Sequence, residues 1–148
     1  MKTLLVYATN SGTTIEVSSY ISTEFTQKGH QVTVKDARDA SSDEYNNYNL
    51  IIFGSSTWGE GEVHESFKRL IENSEGKSFT DKKFAVFGLG DSSYQHFCGA
   101  ADQLEEYVKK LNGKLIVETL KINNFLFNQQ EELPKITEWS QKLLSTIS

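Results

Sequence analysis

The chain has 148 residues, of which 37% are hydrophobic and 11% aromatic, which suits one folded domain and excludes a disordered chain. Its 20 acidic and 15 basic residues leave a net charge of −5, which argues against the clustered cations of a nucleic-acid partner. No apolar run approaches the ~20 residues of a membrane span. The first residues enter a strand pattern with no signal layout, and Cys98 has no second cysteine to pair with, so the expected location is cytoplasmic, without membrane contact.

Hydrophobic period then alternates along the chain between strand-like and helix-like stretches. Residues 3–8 read as a first strand and 12–28 as a helix, with Val17, Ser18, Ile21, Ser22 and Phe25 on one face and Gly29 as its cap. Residues 31–35 alternate as an edge strand does. The runs 49–54 (NLIIFG) and 83–88 (KFAVFG) are apolar throughout, which a strand covered on both faces needs. Helices are predicted over 62–73, with Val63, Phe67, Leu70 and Ile71 inward, and over 98–111, with Ala101, Leu104, Val108 and Leu111 inward. A fifth strand is predicted over 115–122. The last helix is expected over 131–146, with Leu133, Ile136, Leu143 and Ile147 inward and Pro134 in its first turn. Strands separated by helices imply parallel pairing with right-handed crossovers, hence an α/β fold: one domain over 1–148, a three-layer α/β/α sandwich.

Ligands of such sheets sit beyond the C-terminal strand ends. Three segments leave those ends with unusual composition: ATNSGTT after the first strand, GSSTWGEGE after the third and GLGDSSYQHFCG after the fourth. The first joins a strand to a helix N-terminus, where unpaired N–H groups and a partial positive charge favour an anion. Thr9, Asn10, Ser11, Thr13 and Thr14 add neutral donors, and Gly12 permits close approach. This pattern favours a phosphate nest without a cation over a plain N-cap. Gly88 and Gly90 begin a dinucleotide fingerprint, but Ser93 stands where the third glycine belongs, so a nicotinamide site is rejected. Trp58 and Tyr94, on neighbouring loops among small polar residues, could clamp a flat ring.

At these three loops the sequence resembles the flavodoxins, electron carriers that bind FMN without covalent linkage. TNSGTT is similar to the family's phosphate loop, with serine at its third position, while SSTWG and GDSSYQHFCGA are similar to its two flavin loops. The resemblance covers essentially the whole chain. With no insertion in strand five, it is to the short-chain group. It implies a five-stranded parallel sheet of order 2-1-3-4-5 and FMN at the rim. It implies that Thr9, Asn10, Ser11, Gly12, Thr13 and Thr14 surround the phosphate, joined by Ser56 and Trp58. Trp58 and Tyr94 would cover the ring faces, and Thr57 would lie along the ribityl chain. Asp91 and Cys98 would meet the pyrimidine edge through backbone, with Gly90 also among the cofactor-binding residues, so the Cys98 thiol has no required chemistry. The Gly59–Glu60 peptide would turn toward the flavin on reduction.

The implied function is low-potential electron transfer between redox proteins with basic docking surfaces, such as a reductase or a ferredoxin-dependent enzyme, by a monomer. No catalytic or metal-ligating residue is expected. Glu60, Glu62, Glu65 and Asp91 would oppose negative charge on the ring. A quinone or nitro reductase, or a stand-alone FMN module of a reductase complex, are the alternatives. A phosphoacceptor receiver is rejected, because Thr9, Asn10 and Ser55 stand where its aspartates belong. His64 and His96 read as exposed polar residues and His30 as part of a turn. Phe125 and Phe127 read as core plugs, or as an apolar docking spot beside the flavin edge.

Overall fold

A computed structural model describes residues 2–8, 12–57, 63–90 and 98–147. Its elements are β1 (Lys2–Ala8), α1 (Thr13–Gln27), β2 (Gln31–Asp36), β3 (Leu50–Ser56), α2 (Glu65–Asn73), β4 (Lys83–Gly90), α3 (Gly99–Lys110), β5 (Lys114–Leu115), β6 (Leu120–Asn123) and α4 (Gln129–Ile147). The strands pair in parallel in the order β2-β1-β3-β4-β5, with β6 also on β4.

The central strands are apolar throughout because each side of the sheet carries its own core. Leu4, Val6, Ile51, Phe53, Phe84 and Val86 point into one cluster, closed by Phe67 and Leu70 of α2 and Leu104, Val108 and Tyr107 of α3. The alternate residues Leu5, Leu50, Ile52, Ala85 and Phe87 point into a second, closed by Val17, Ile21 and Phe25 of α1 and Ile136, Trp139 and Leu143 of α4. This is the period of two expected of parallel strands buried on both faces. Strand β2 pairs only with β1 and lacks a fully buried residue, as its alternation predicts.

Four details differ from the sequence reading. The fifth strand comes in two pieces. Strand β4 advances from Phe84 to Phe87 while its neighbour advances from Leu115 to Leu120, so the chain bulges out between β5 and β6. Helix α4 begins at Gln129, where the Asn128 carbonyl accepts from the N–H groups of Glu131 and Glu132, so Pro134 lies beyond its first turn. Helix α2 begins at Glu65, with Val63 buried ahead of it. Residues 37–47, unassigned from the sequence, form two 3-10 segments (Ala37–Asp39 and Ser42–Asn47), the second closed by a Ser41–Glu44 capping box. The latter carries Tyr45 into the first core, where its hydroxyl meets that of Tyr107 at 3.0 Å and Tyr107 in turn meets Ser74 at 2.6 Å. Burial pushes both phenols up, away from ionisation.

Candidate functional site

The C-terminal ends of β1, β3 and β4 lie side by side, since Ala8 pairs with Ser55 and Ser56 with Leu89. All three expected loops therefore leave one rim, at the place where order reverses between β1 and β3. Thr9, Asn10, Ser11, Trp58, Gly59, Glu60, Glu62, Asp91, Tyr94 and His96 lie outside the described residues. Gly12, Thr13, Thr14, Ser56, Thr57, Gly90 and Cys98 are described.

Gly12 precedes α1 with φ +85° and supplies no side-chain cap. A Cβ placed there would have nothing among the described residues within 4 Å. The left-handed backbone, rather than crowding, is what calls for glycine. Two residues on, the Thr14 side chain is wholly buried, yet its hydroxyl has no hydrogen-bond partner among the described residues. The buried Ser56 hydroxyl, at the end of β3, also lacks one. An unmet buried hydroxyl costs about 1–3 kcal/mol. Two of them at one rim, beside an uncapped helix start, are what a site for an oxygen-rich anion leaves when its ligand is not counted. The residues present thus fit a phosphate group.

Thr57 ties the rim together. Its N–H donates to the Leu89 carbonyl at 3.0 Å, and its hydroxyl accepts from the Ala100 N–H at 3.4 Å. This joins the exits of β3 and β4 to the start of α3. The following loop is held where it returns. The Val63 N–H donates to the Gln103 side chain at 2.9 Å and the His64 N–H to the Ser55 hydroxyl at 3.4 Å. His64, expected as an exposed polar residue, instead caps α2, its Nδ1 accepting from the Ser66 N–H at 3.2 Å. No motif signalled these ties, because Gln103 and Ala100 reach the rim only through the fold.

Strand β4 runs two residues past its expected end, so Gly88 and Gly90 are strand residues and not a phosphate turn. This agrees with rejecting the fingerprint. Gly90 accepts at its carbonyl from the Asn124 N–H at 2.6 Å. Cys98 stands before α3 with φ +51°, its carbonyl accepting from the Ala101 N–H at 2.9 Å. Its thiol points inward, toward the carbonyls of Gly88 (3.5 Å) and Ile122 (3.6 Å), and burial pushes its pKa up to about 12. At pH 8 only about one thiol in ten thousand is ionised. Iodoacetamide at pH 8 is therefore expected to label Cys98 only after unfolding in denaturant. The raised value also contributes stability that is full below pH 9 and lost as pH climbs toward about 12, readable as falling urea midpoints.

Two described cations at this end of the sheet stand beside carboxylates. Arg38, just past β2, pairs with Asp36 at 3.1 Å, and Lys121 of β6 pairs with Asp102 at 3.0 Å. Both add little positive field to the rim, whereas Glu65 is exposed in the first turn of α2. The two phenylalanines divide. Phe125 is a core plug, meeting Tyr20 edge-on at 6.3 Å, while Phe127 stands in solvent.

Fold and rim together define a doubly wound α/β module, a class whose ligands sit at the carboxyl ends of adjacent parallel strands. The family model described as Flavodoxin matches residues 5–135. A flavodoxin of Maridesulfovibrio salexigens is 35% identical, over 99% of each chain. This chain therefore belongs to the flavodoxin family. Among solved structures, oxidised flavodoxin 1 of Bacillus cereus superposes with a TM-score of 0.90 at 25% identity, over the full length of both chains. A Fusobacterium nucleatum flavodoxin bound to flavin mononucleotide does so with a TM-score of 0.83 at 22% identity, over 97% of each chain, which speaks to fold.

Proposed function

We propose that this chain holds FMN non-covalently at the C-terminal rim and carries electrons between redox proteins, without a substrate site of its own. The observation that carries the reading is the pair of buried hydroxyls of Thr14 and Ser56, unpartnered among the described residues, at the rim of a flavodoxin-family fold. Bound FMN supplies one- and two-electron chemistry that no side chain here has. Thr9, Asn10, Ser11, Gly12, Thr13 and Thr14, with Ser56, hold its phosphate through neutral dipoles. Trp58 and Tyr94 cover the ring and exclude water from it. Gly90, Asp91 and Cys98 border its polar edge through backbone, and Gly59 lets the peptide it shares with Glu60 turn.

Thr57 braces the site. Its N–H is committed to Leu89, so it lines the ribityl chain without donating from its backbone. Glu60, Glu62, Glu65 and Asp91 raise the energy of negative charge on the ring, by about 1.7 kcal/mol for each carboxylate at about 10 Å and an effective dielectric near 20, less where water and salt screen it. The same acids attract a partner with a basic face. The chain acts as a cytoplasmic monomer.

Titration of FMN into the purified, flavin-free chain tests the reading. Flavin fluorescence is expected to be quenched with one FMN per chain and to give a yellow protein. Undimmed fluorescence would refute it. Oxidation of NAD(P)H by the loaded protein alone would transfer the chain to the reductases.

A further inference from the structure

The loop between β6 and α4 is held by many bonds. The Asn123 N–H donates to the buried Glu132 carboxylate at 2.6 Å, and the Asn128 side-chain amide donates to the Asn123 carbonyl at 3.2 Å. The N–H groups of Phe127 and Asn128 both donate to the Asn124 carbonyl at 3.1 Å. The Asn124 N–H donates to Gly90, the residue from which the third rim loop departs. Phe125 is 3% exposed and locked in the core. On this fixed frame Leu126 is 58% exposed and Phe127 83% exposed.

Folding gains almost nothing from an aromatic ring held in water, so the frame serves some other end. The described residues include five exposed large apolar side chains, and four are Ile15, Tyr20, Leu126 and Phe127. The first two lie on α1, which packs on the same side of the sheet as α4, and Tyr20 touches Phe125. Residues 122–130 carry no charge; exposed Glu131 follows them in the first turn of α4, and exposed Glu16 stands one helical turn before Tyr20 on α1. The nearby lysines are engaged, Lys121 by Asp102 and Lys135 by Glu132, both at 3.0 Å.

We propose that Leu126 and Phe127, with Tyr20 of α1 beside them, form the apolar centre of a docking surface for a redox protein whose own face is apolar with a lysine and arginine border. The inference rests on the electron-carrier reading. The charge pattern selects the occupant. A second copy packed two-fold on this patch would set Glu16 and Glu131 against their own equivalents, whereas a basic border would pair with them. The contact with Gly90 ties the loop that carries the patch to the end of β4, at the rim of the proposed site, so a docked partner lies within electron-transfer reach of it.

The test uses the full chain loaded with FMN and reduced by dithionite. Cytochrome c, a basic haem protein, is the acceptor, each haem iron taking one electron from Fe(III) to Fe(II). Leu126→Ser/Phe127→Ser is expected to bind FMN as the parent does, with the same spectrum, and to transfer electrons about tenfold more slowly, as loss of an interface anchor predicts. The slope of its rate against ionic strength is unchanged, whereas Glu16→Gln/Glu131→Gln flattens that slope. A loaded double serine variant reacting at the parental rate at low and high salt overturns the docking surface alone. A dimer by sedimentation that the serine changes dissociate assigns the patch to a second copy and overturns it as well. If the parent does not quench FMN, the carrier reading falls and takes this inference with it.

Discussion

Thr14→Val and Ser56→Ala are expected to move the FMN-free and FMN-loaded proteins in opposite directions. Both hydroxyls are buried and unpartnered among the described residues. Removing such a group relieves a desolvation penalty, so each variant without FMN should melt at or above the parent, with a gain of up to about 1 kcal/mol. Valine keeps the branched shape of threonine, and the Thr14 carbonyl still accepts the Ser18 hydroxyl at 2.7 Å, so α1 loses no contact. With FMN the sign reverses. A hydrogen bond to a charged phosphate is worth about 1.5–3 kcal/mol, so the dissociation constant should rise roughly 10- to 100-fold for each change. The stabilisation conferred by a fixed excess of FMN shrinks with it. Quenching titrations and paired melts read both numbers. A Thr14→Val protein that melts lower without FMN yet binds it as tightly would show that this hydroxyl serves the helix and not the phosphate.

That pair of residues also marks where sequence reading succeeds and stops. The fold was legible because both faces of the sheet are buried. A continuous apolar run such as Leu50–Phe53 has few structural solutions, and Gly29, with its positive φ, readily closes the end of α1. The anion loop could be proposed because hydroxyls and a glycine at a strand-to-helix turn are chemically specific. The parts that were not legible depend on contacts distant in sequence. Phe125 and Phe127 differ by two positions in an uncharged loop, and nothing local tells which enters the core. Tyr20 does, by meeting Phe125 across the fold. Trp139 went unassigned for the same reason, since its indole N–H finds the Glu118 carbonyl at 2.8 Å only because the chain bulges between β5 and β6. The braces at Thr57, Gln103 and Asn124 are ordinary polar residues until the rim is assembled around them.

Gly54→Ala should be among the most damaging single-methyl changes in the sheet. Gly54 pairs in register with Phe87 across β3 and β4. A Cβ at position 54 would lie 2.0, 2.3 and 2.5 Å from three atoms of the Phe87 ring. The ring has no route of escape, being wholly buried and packed edge-on against Trp139 at 6.2 Å. Overpacking of this degree costs about 3 kcal/mol, which in a domain of this size lowers the melting temperature by roughly 6–12 °C. The damage also reaches function, because the strand that must shift ends at Ser56 and leads into Thr57, so FMN should bind more weakly in the same variant. A second change separates this cause from general fragility. Phe87→Leu alone leaves a partly filled space and should cost about 1–3 kcal/mol. Combined with Gly54→Ala it removes the clash, so the double variant should be more stable than the sum of the single losses by about 1–2 kcal/mol. Strict additivity in urea unfolding would mean that the ring does not occupy the space a side chain at 54 needs. The bare glycine would then need another explanation than the width of its aromatic neighbour.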